Sequence, residues 1–571
     1  MHKESVNGRC PRVIAAGPTR AAVPHVVLVE RRRSDFWLLA ALAVLWVVAG
    51  LTGHEPWKPD EAYTFGLVQH IRQTGDVLVP TLTGQPFLEK PPLYFATAAL
   101  FQRIFEGWLT AHDAARLATG LYLGLTLWWL WLAERELRGR GALPFAPLLL
   151  IGTIGLFEVS HRLQTDIALL SGFSMALYAL ALARRAPRRG GSLLGGAIAV
   201  TFLSKGLLGP GLIALSSLVL VLLTDWHQWL KKSVWAWALG FALPVCLLWP
   251  VALYRHSPTL FDDWFWLNNL GRFAGTAALG PKHEPWFYTK TLPWFAFPLL
   301  PLAAFGLYRM RWDPSSEDKI WVALPAVFAG VTLAVLACAH DARAIYALPL
   351  LPPLALLGSV GVGRLEAQIA RRLNDACRFT FGLAALLLWL GWLVLFTRYP
   401  SFLAVPLLAQ APGYVEPLRV GALAWAGMVS VGWILVQGRI GGAAHAVAWN
   451  WAAGMTLIWC LCVSLWMPLV DYTKSYRQPF LELKQELAST ACVGSRGLGE
   501  SERAMLSYYA GVVTRREETV ADPRCDVLLV QSRAGEVATA APGWQLVWSG
   551  RRPGERQESF QLFRRVHAPL D

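Results

Sequence analysis

Long apolar runs separated by short polar segments make up most of this chain. Many of them approach the roughly 20 residues that an α-helix needs to cross a bilayer. The runs cover residues 36–51, 113–133, 143–157, 166–183, 192–204, 206–224, 233–254, 291–308, 320–338, 344–361, 378–397, 417–437 and 446–470. This pattern predicts an all-α polytopic membrane protein with about thirteen transmembrane helices.

A further apolar run, Leu93–Phe105, is short for a crossing and follows two prolines. If this run lies on the membrane surface and the N-terminus is inside, the basic loops all fall in the cytoplasm, as the positive-inside rule requires. These loops are 134–142, 184–191, 225–233, 309–319 and 362–378. Counting the run as a span would place all of them outside, so we predict an interfacial helix.

The composition favours the same class of protein. Hydrophobic residues make up 55% of the chain and charged residues only 16%, far below the roughly 25% of soluble domains. A net charge of +14 would suit a nucleic-acid binder, but the arginines cluster between apolar runs, where membrane topology already accounts for them. Residues 1–35 are basic and no small-residue cleavage site follows the next apolar run, so we expect a cytoplasmic tail and no signal peptide.

The segment after Asp471 differs from the rest of the chain because it mixes strand-like and helix-like patterns. Asp526–Val530 has the pattern of a strand, and Phe480–Leu487 and Ser501–Tyr509 have that of helices. We predict a small α/β domain of about one hundred residues on the outer side of the membrane.

Cys492 and Cys525 are the two cysteines of this polar tail. An outer compartment permits disulfides, so we predict a bridge between them. The expected domains are therefore a cytoplasmic tail at 1–35, a transmembrane catalytic domain at 36–470 and a periplasmic domain at 471–571.

In the predicted topology, the unusual polar residues collect at the outer face. An ionisable group costs about 2.5–3.5 kcal/mol at the middle of the membrane and less toward the interface, so several such groups in one place call for a function. They are Asp60, Glu61, Glu89, Lys90, Asp166, Lys205, Arg272, His283, Glu284 and Tyr346.

These residues divide into donors and acceptors of hydrogen bonds. The donors suited to a phosphate are Lys90, Arg272, Lys205 and Tyr346. Asp60 and Asp166 are acceptors suited to sugar hydroxyls, an acceptor nucleophile or a metal. A cluster of donors beside carboxylates at the membrane boundary fits the cleavage of a sugar–phosphate bond in a lipid-linked donor.

Each residue also has a simpler explanation. Asp60 and Glu61 could cap the helix that follows them, since carboxylates favour helix N-termini. Asp166 could be another N-cap or the partner of Arg162, and Lys205 could extend its ammonium to the interface.

The same holds for two further residues of the set. Arg272 could pair with a lipid headgroup, and Tyr346 could belong to an interfacial aromatic belt.

Two short motifs stand in the first outer loop. One is Lys58-Pro59-Asp60-Glu61, and the other is Phe87-Leu88-Glu89-Lys90-Pro91-Pro92-Leu93-Tyr94, with Gly75-Asp76 and Pro80 between them. Together they resemble the first outer loop of the lipid A aminoarabinose transferases and their relatives, which include protein O-mannosyltransferases. Other matching places are His161–Asp166, Ser204-Lys205-Gly206, Arg272-Phe273, His283-Glu284-Pro285-Trp286-Phe287-Tyr288 and Arg343–Pro353.

The resemblance covers nearly all of the membrane part. It implies a GT-C fold with interfacial helices in the first outer loop and a periplasmic domain behind it. It also implies transfer, with inversion, from an undecaprenyl-phosphate sugar, with no cofactor or at most a weakly required divalent cation.

The resemblance also implies roles for single residues. Lys90, Arg272 and Tyr346 would hold the donor phosphate. Asp60 would orient or deprotonate the acceptor, and Asp166 would contact the sugar or shape the site. We place Glu61 beside these catalytic carboxylates, Lys205 beside the phosphate donors, and Glu89 and His283 in the same site.

Two departures from the family pattern bear on the substrate. The aminoarabinose transferases follow the acidic pair with Thr-Arg, whereas this chain has Ala62-Tyr63. They also carry Glu-His before the loop arginine, where this chain has Asn268-Asn269, which weakens the case for a metal shared with Glu89.

The sequence and this resemblance together predict a multi-pass glycosyltransferase of the bacterial inner membrane with its active site on the periplasmic side. Its partners would be an undecaprenyl-phosphate-linked sugar, the bilayer and an envelope acceptor, with lipid A first. Transfer of another sugar to a glycan or a protein is the alternative. A transporter or flippase and a non-catalytic scaffold are alternatives from other classes, but the chain shows no internal repeat and the acids lie at one face.

Overall fold

The computed structural model of the protein describes residues 33–139, 143–276, 284, 286–312, 316–437, 444–487, 492–518, 525–536 and 542–566. Helices form most of this part, and a five-stranded sheet lies near the C-terminus. The predicted all-α membrane part with a small C-terminal α/β domain is confirmed. The predicted tail at 1–35 lies outside the described residues except for its last three.

The first half of the membrane part contains ten helices and a short hairpin among the described residues. The helices are α1 (Arg33–Val48), α2 (Asp60–Thr74), α3 (Leu93–Phe105), α4 (Ala111–Arg138), α5 (Phe145–Ile151), α6 (Ile154–Val159), α7 (Thr165–Ala183), α8 (Pro187–Lys205), α9 (Leu208–Leu223) and α10 (Lys232–His256). The hairpin between α2 and α3 consists of β1 (Thr81–Leu82) and β2 (Gln85–Pro86).

The second half continues in the same way and ends in the small domain. Its helices are α11 (Pro258–Asp262), α12 (Arg272–Ala274), α13 (Phe287–Phe295), α14 (Leu299–Trp312), α15 (Ser316–Cys338), α16 (Leu351–Gly363), α17 (Ala367–Thr397), α18 (Ser401–Leu408), α19 (Val420–Gln437), α20 (Ala444–Leu461), α21 (Met467–Lys474), α22 (Arg477–Leu487) and α23 (Glu500–Ala510). Short 3₁₀ segments cover Asp225–Gln228 and Ala344–Leu350, and π-helical segments cover Asp263–Gly271 and Cys462–Trp466.

Seven helices of the described part are long and apolar enough to cross a membrane. The number is eight if the pair Phe287–Phe295 and Leu299–Arg311, which is bent by 93°, counts as one span. Phe36–Val48, Leu93–Phe105 and Leu208–Leu223 are shorter apolar helices. The chain is therefore a multi-pass membrane protein, and the count of thirteen spans stays a prediction.

The run at 143–157 is interrupted, because α5 ends before Gly152 and α6 begins after Thr153. The indole of Trp451 on α20 fills the break and donates a hydrogen bond to the carbonyl of Gly152 at 2.6 Å. A Cβ at position 152 would lie 2.1 Å from that ring. The tryptophan therefore requires glycine at the break and pairs a carbonyl that the helix leaves open.

Helix α3 has the bounds that its apolar run predicted. Its 13 residues are about 20 Å long, too short for the hydrocarbon core. Tyr94, Phe95 and Ala98 are buried on one face, whereas Leu100 and Ile104 are more than half exposed on the other. This division suits a surface helix, and the interfacial location stays a prediction.

Small residues let the central helices pack closely. Gly191 and Gly195 of α8 face α10, where an added Cβ would lie 2.5 Å from the carbonyl oxygens of Val234 and Ala238. Four-residue spacing of glycines is the usual way for membrane helices to bring their backbones together. This packing holds α8 in place, and α8 ends at Lys205.

The C-terminal domain has a mixed sheet with the strand order β4-β3-β5-β7-β6. The strands are β3 (Val493–Arg496), β4 (Arg515–Arg516), β5 (Val527–Ser532), β6 (Trp544–Gly550) and β7 (Ser559–Arg565). The first three strands in the sheet are parallel and the last two pair antiparallel. The predicted Cys492–Cys525 disulfide is present.

This domain docks on the first outer loop through α23. The hydroxyl of Ser501 donates to the carbonyl of Pro59 at 2.6 Å, and Tyr509 donates to Glu55 at 2.7 Å. A Cβ on Gly66 of α2 would lie 2.8 Å from the Cβ of Ala504. The C-terminal domain therefore packs directly against the segment that begins α2.

Candidate active site

Residues from distant parts of the chain surround a cavity of about 410 Å³ at one end of the helical bundle. Every predicted site residue except Glu61 and His283 lines it. The polar lining consists of Asp60, Tyr63, Glu89, Lys90, Asp166, Lys205, Asn268, Asn269, Arg272, Asp341, Arg343 and Tyr346. His283 lies outside the described residues.

Lys205 and Asp166 form an ion pair with 2.6 Å between the ammonium and the carboxylate. Lys205 ends α8 and Asp166 lies in the first turn of α7, so the pair joins two central helices. The ammonium also lies 5.0 Å from the centre of the Tyr346 ring. The partner of Asp166 is thus Lys205, and Lys205 points into the cavity.

Arg272 binds two carboxylates, with 3.0 Å to Glu89 and 3.4 Å to Asp341. Burial alone would lower the pKa of Arg272, but Glu89 and the other groups around it raise the pKa overall. Burial alone would also raise the pKa of Glu89, but Lys90 and Arg272 lower it. Both groups are therefore charged, and the arginine is held at the cavity wall by side chains of the protein.

Asp341 is a site residue that the sequence analysis missed. It is buried, accepts a hydrogen bond from the Tyr346 hydroxyl at 3.1 Å, and contacts Arg272. Its other carboxylate oxygen has no hydrogen-bond partner in the described part of the chain. The sequence could have indicated this residue, because it is a carboxylate in the short loop at 339–343 that is predicted on the outer side.

Asp60 begins α2 and directs its carboxylate into the cavity. Tyr63 donates to it at 3.2 Å, Gln164 donates at 3.4 Å, and Arg343 lies 3.8 Å away. These partners are side chains and not backbone N–H groups of α2, so helix capping does not account for this residue.

Lys90 follows Glu89 and donates to the hydroxyl of Tyr63 at 2.6 Å. Burial alone would lower the pKa of Lys90, but Tyr63 and the surrounding carboxylates raise it overall. The side chain therefore carries its charge and brings an ammonium to the cavity lining.

Glu61 points away from this cavity. It is 1% exposed and pairs with the fully buried Arg116 of α4 at 2.6 Å. It also accepts from the backbone N–H groups of Trp57 and Leu163, both at 3.3 Å. Burial alone would raise the pKa of Glu61, but Arg116 and other neighbours lower it to about 2. These contacts give Glu61 a structural part in fastening α2 to α4.

A second cavity, of about 230 Å³, lies on the other side of Asp60. Its lining includes Lys58, Glu61, Arg162 and Gln164. Asp60 lines both cavities, so its carboxylate lies at the boundary between two spaces that can each hold part of a ligand.

Metal binding was expected to be absent or weak. Within the described ranges, no group of three or more histidine, cysteine, aspartate or glutamate side chains is arranged to hold a metal ion. Glu89, the residue considered for a metal, faces Arg272 instead.

Comparisons with known proteins agree with this architecture. Residues 89–254 match the family model of dolichyl-phosphate-mannose-protein mannosyltransferases. An undecaprenyl phosphate-α-4-amino-4-deoxy-L-arabinose arabinosyl transferase of Pseudomonas aeruginosa is 27% identical over 564 residues, which cover 95% of this chain and 94% of that protein. A transferase of the same name from Sodalis glossinidius is 32% identical over 343 residues, covering 57% of this chain and 59% of that protein.

A solved structure gives the fold. The crystal structure of ArnT from Cupriavidus metallidurans bound to undecaprenyl phosphate matches 93% of this chain and 98% of that chain, with a TM-score of 0.70 and 17% identity. Fold and site thus define a polytopic membrane protein with the GT-C fold. The resemblance to the aminoarabinose transferases and the protein mannosyltransferases, predicted from the motifs, is confirmed.

Proposed function

We propose that this protein is an integral membrane glycosyltransferase that moves a sugar from an undecaprenyl-phosphate-linked donor to lipid A. The observation that carries the proposal is the cavity of about 410 Å³, whose lining combines charged side chains, among them Lys90 and Arg272, with apolar side chains of α9 and α15. The Pseudomonas relative, similar over almost its whole length, is named for the undecaprenyl phosphate-aminoarabinose donor. That name supports an aminoarabinose-type sugar for this chain.

The charged and the apolar parts of the cavity lining suit the two parts of such a donor. Lys90 and Arg272 supply charged donors, and the Tyr346 hydroxyl supplies a further one, for a phosphate. The apolar part of the lining includes Leu207, Leu208, Leu212, Leu215, Val335 and Leu336. Leu215 is 41% exposed on α9, so this part continues to the outside of the bundle, where a prenyl chain would lie in lipid.

Asp60 is the proposed general base. Its carboxylate would take the proton of the acceptor hydroxyl while the acceptor oxygen forms a bond to the anomeric carbon. The bond from that carbon to the phosphate oxygen breaks, and undecaprenyl phosphate leaves with the bonding electrons. Attack opposite to the leaving group inverts the anomeric carbon.

The remaining residues would stabilise this exchange. Negative charge grows on the leaving phosphate, where Lys90 and Arg272 supply positive charge in a partly desolvated cavity. Asp166, paired with Lys205, would accept hydrogen bonds from the sugar hydroxyls. The catalytic and donor-binding roles of these residues are part of the proposal.

We place the active site on the periplasmic side of the bacterial inner membrane. Support comes from the basic loops, which gather at one side of the predicted topology, whereas the cavity residues gather at the other. The Cys492–Cys525 disulfide of the docked C-terminal domain suits an oxidising compartment.

The test is transfer by the purified protein in liposomes that contain undecaprenyl-phosphate-linked 4-amino-4-deoxy-L-arabinose and lipid A. Mass spectrometry should find the sugar mass added to lipid A only when protein and donor are both present. A protein acceptor is the second candidate, because the matched family model describes protein mannosyltransferases. Failure to transfer any polyprenyl-linked sugar to lipid A, glycan or protein would contradict the proposal.

A further inference from the structure

Tyr63 connects the two groups that the proposed reaction needs most. It lies one helical turn after Asp60 on α2, on the same face, and its hydroxyl is 3.2 Å from the carboxylate Oδ1. The same hydroxyl is 2.6 Å from Nζ of Lys90. The Tyr63 side chain is 6% exposed and its ring packs on Phe87, with 5.3 Å between the ring centres.

The direction of both hydrogen bonds follows from the chemistry of the partners. An ammonium can only donate and a carboxylate can only accept, so the Tyr63 oxygen accepts from Lys90 and its O–H donates to Asp60. Burial raises the pKa of the Tyr63 phenol above its usual value, so the hydroxyl keeps its proton. Bonds arranged head to tail in this way polarise and strengthen one another.

The connection also distinguishes the two carboxylate oxygens of Asp60. The Tyr63 hydroxyl donates to Oδ1, and the Arg343 guanidinium also lies nearest to Oδ1. Oδ2 accepts from the Gln164 amide at 3.4 Å, whereas Oδ1 has two partners, at 3.2 and 3.8 Å. Oδ2 is therefore the oxygen with more capacity to accept a proton from an incoming hydroxyl.

We propose that Tyr63 is a positioning residue that orients the Asp60 carboxylate and holds Lys90 beside it without a direct ion pair between the two. This inference rests on the proposed glycosyl transfer. Placed between them, the phenol leaves the lysine with N–H groups for the donor phosphate. It also keeps the carboxylate oriented as a base.

The decisive variant is Tyr63→Phe, which removes one oxygen and keeps the ring in place. We expect kcat in the liposome assay to fall roughly 10- to 100-fold, since a hydrogen bond to a charged group is lost. The KM for the donor should rise less than it does in Lys90→Ala, because Lys90 keeps its charge and loses only the hydroxyl that positions it. The pH–rate profile should also change, because the proposed base loses a hydrogen-bond donor.

The matched control is Tyr122→Phe. Tyr122 is also buried, and its hydroxyl pairs with Thr97 at 2.9 Å on α3, away from the cavity lining. This variant should keep the wild-type kcat and pH profile. 3-Fluorotyrosine at position 63 restores the hydroxyl with nearly the same shape and should return kcat to within about threefold of wild type, which loss of packing alone would not explain.

Two negative results are distinguishable. If the wild-type protein transfers sugar and folded Tyr63→Phe matches it in kcat and pH profile, the role of Tyr63 is overturned and the proposed function stands. If the wild-type protein transfers no sugar to any acceptor, the proposed function is overturned and the role of Tyr63 with it.

Discussion

The ammonium of Lys58 lies 2.5 Å from the carboxylate of Glu558, which is 500 positions later in the chain. Lys58 stands next to Pro59 and Asp60 in the first outer loop, and Glu558 belongs to the C-terminal domain. A second carboxylate, Glu502 on α23, lies 3.8 Å from the same ammonium. The C-terminal domain is thus connected directly to the segment that carries the proposed base.

Replacing Lys58 by methionine should loosen this connection. Glu558 and Glu502 are buried, and the substitution would remove the positive charge that pairs with both carboxylates. Because the lysine side chain is 35% exposed, we expect a loss of only about 1–2 kcal/mol of stability. Thermal unfolding in detergent should report it, with faster hydrogen exchange at residues 57–61.

The exposed Lys484 on α22 provides the control, since Lys484→Met removes a charge from the same domain at its surface. Equal exchange at 57–61 in Lys58→Met and Lys484→Met would show that the contact does not hold the loop.

Asp60→Asn should abolish most of the turnover and leave the fold intact. The amide keeps the shape of the side chain but has no basic oxygen, and general-base catalysis contributes about 10²–10⁴-fold. The expected result is a fall in kcat of at least about 100-fold, with donor binding retained. Initial rates with a saturating radiolabelled donor measure kcat, and equilibrium binding of that donor measures its affinity.

The control for this substitution is Asp76→Asn in the same outer loop. The Asp76 carboxylate accepts from the N–H of Leu78 at 2.8 Å in an exposed turn, a bond that asparagine can also accept. Its kcat should equal that of the wild type, and retention of full turnover by Asp60→Asn would refute the base assignment.

Lys90→Ala should act chiefly on donor binding. Loss of a charged donor to a phosphate should raise the KM for the donor about 10- to 100-fold. A larger effect on kcat than on KM would mean that the ammonium acts mainly on the leaving phosphate in the transition state. Lys290→Ala, which removes an exposed lysine from α13, should change neither constant.

Glu61→Gln tests whether this carboxylate stabilises the fold by holding α2 against α4. Removing the charge leaves the fully buried Arg116 with Asp113 but without Glu61, the other carboxylate at 2.6 Å, which should cost up to about 3 kcal/mol of stability at pH 7. A lowered pKa means that Glu61 stabilises the fold above its unfolded pKa, near 4.3, and that this contribution disappears as the pH falls toward about 2.

The difference in unfolding temperature between wild type and Glu61→Gln should therefore shrink between about pH 4.5 and pH 2. Glu106→Gln, at an exposed pair with Arg72, should unfold close to wild type at every pH. A stable Glu61→Gln protein that has lost turnover would instead favour a catalytic role.

Much of the fold was predictable because apolar periodicity reflects burial in lipid or in a helical core. The bounds of α3 match its apolar run, and the strand and helices of the tail lie within three residues of the predicted ones. The break at Gly152 was not predictable, since it depends on Trp451, which comes from a helix 299 positions away.

The site, too, was only partly predictable from the sequence. Local sequence identified unusual charges at the predicted outer face, and the cavity brings five of them together: Asp60, Lys90, Asp166, Lys205 and Arg272. It did not distinguish Asp60 from Glu61, because adjacent helical residues point about 100° apart and the position of Arg116 decides which of them is turned inward.

The chain by itself thus determined a multi-pass helical membrane protein, its outer charged motifs and a small α/β tail, since each follows from local pattern and from the cost of burying charge. Only the tertiary structure decided that Tyr63 joins Lys90 to Asp60, that Asp341 holds Arg272, and that Glu558 reaches Lys58. These contacts depend on how distant helices pack, and no single segment specifies that packing.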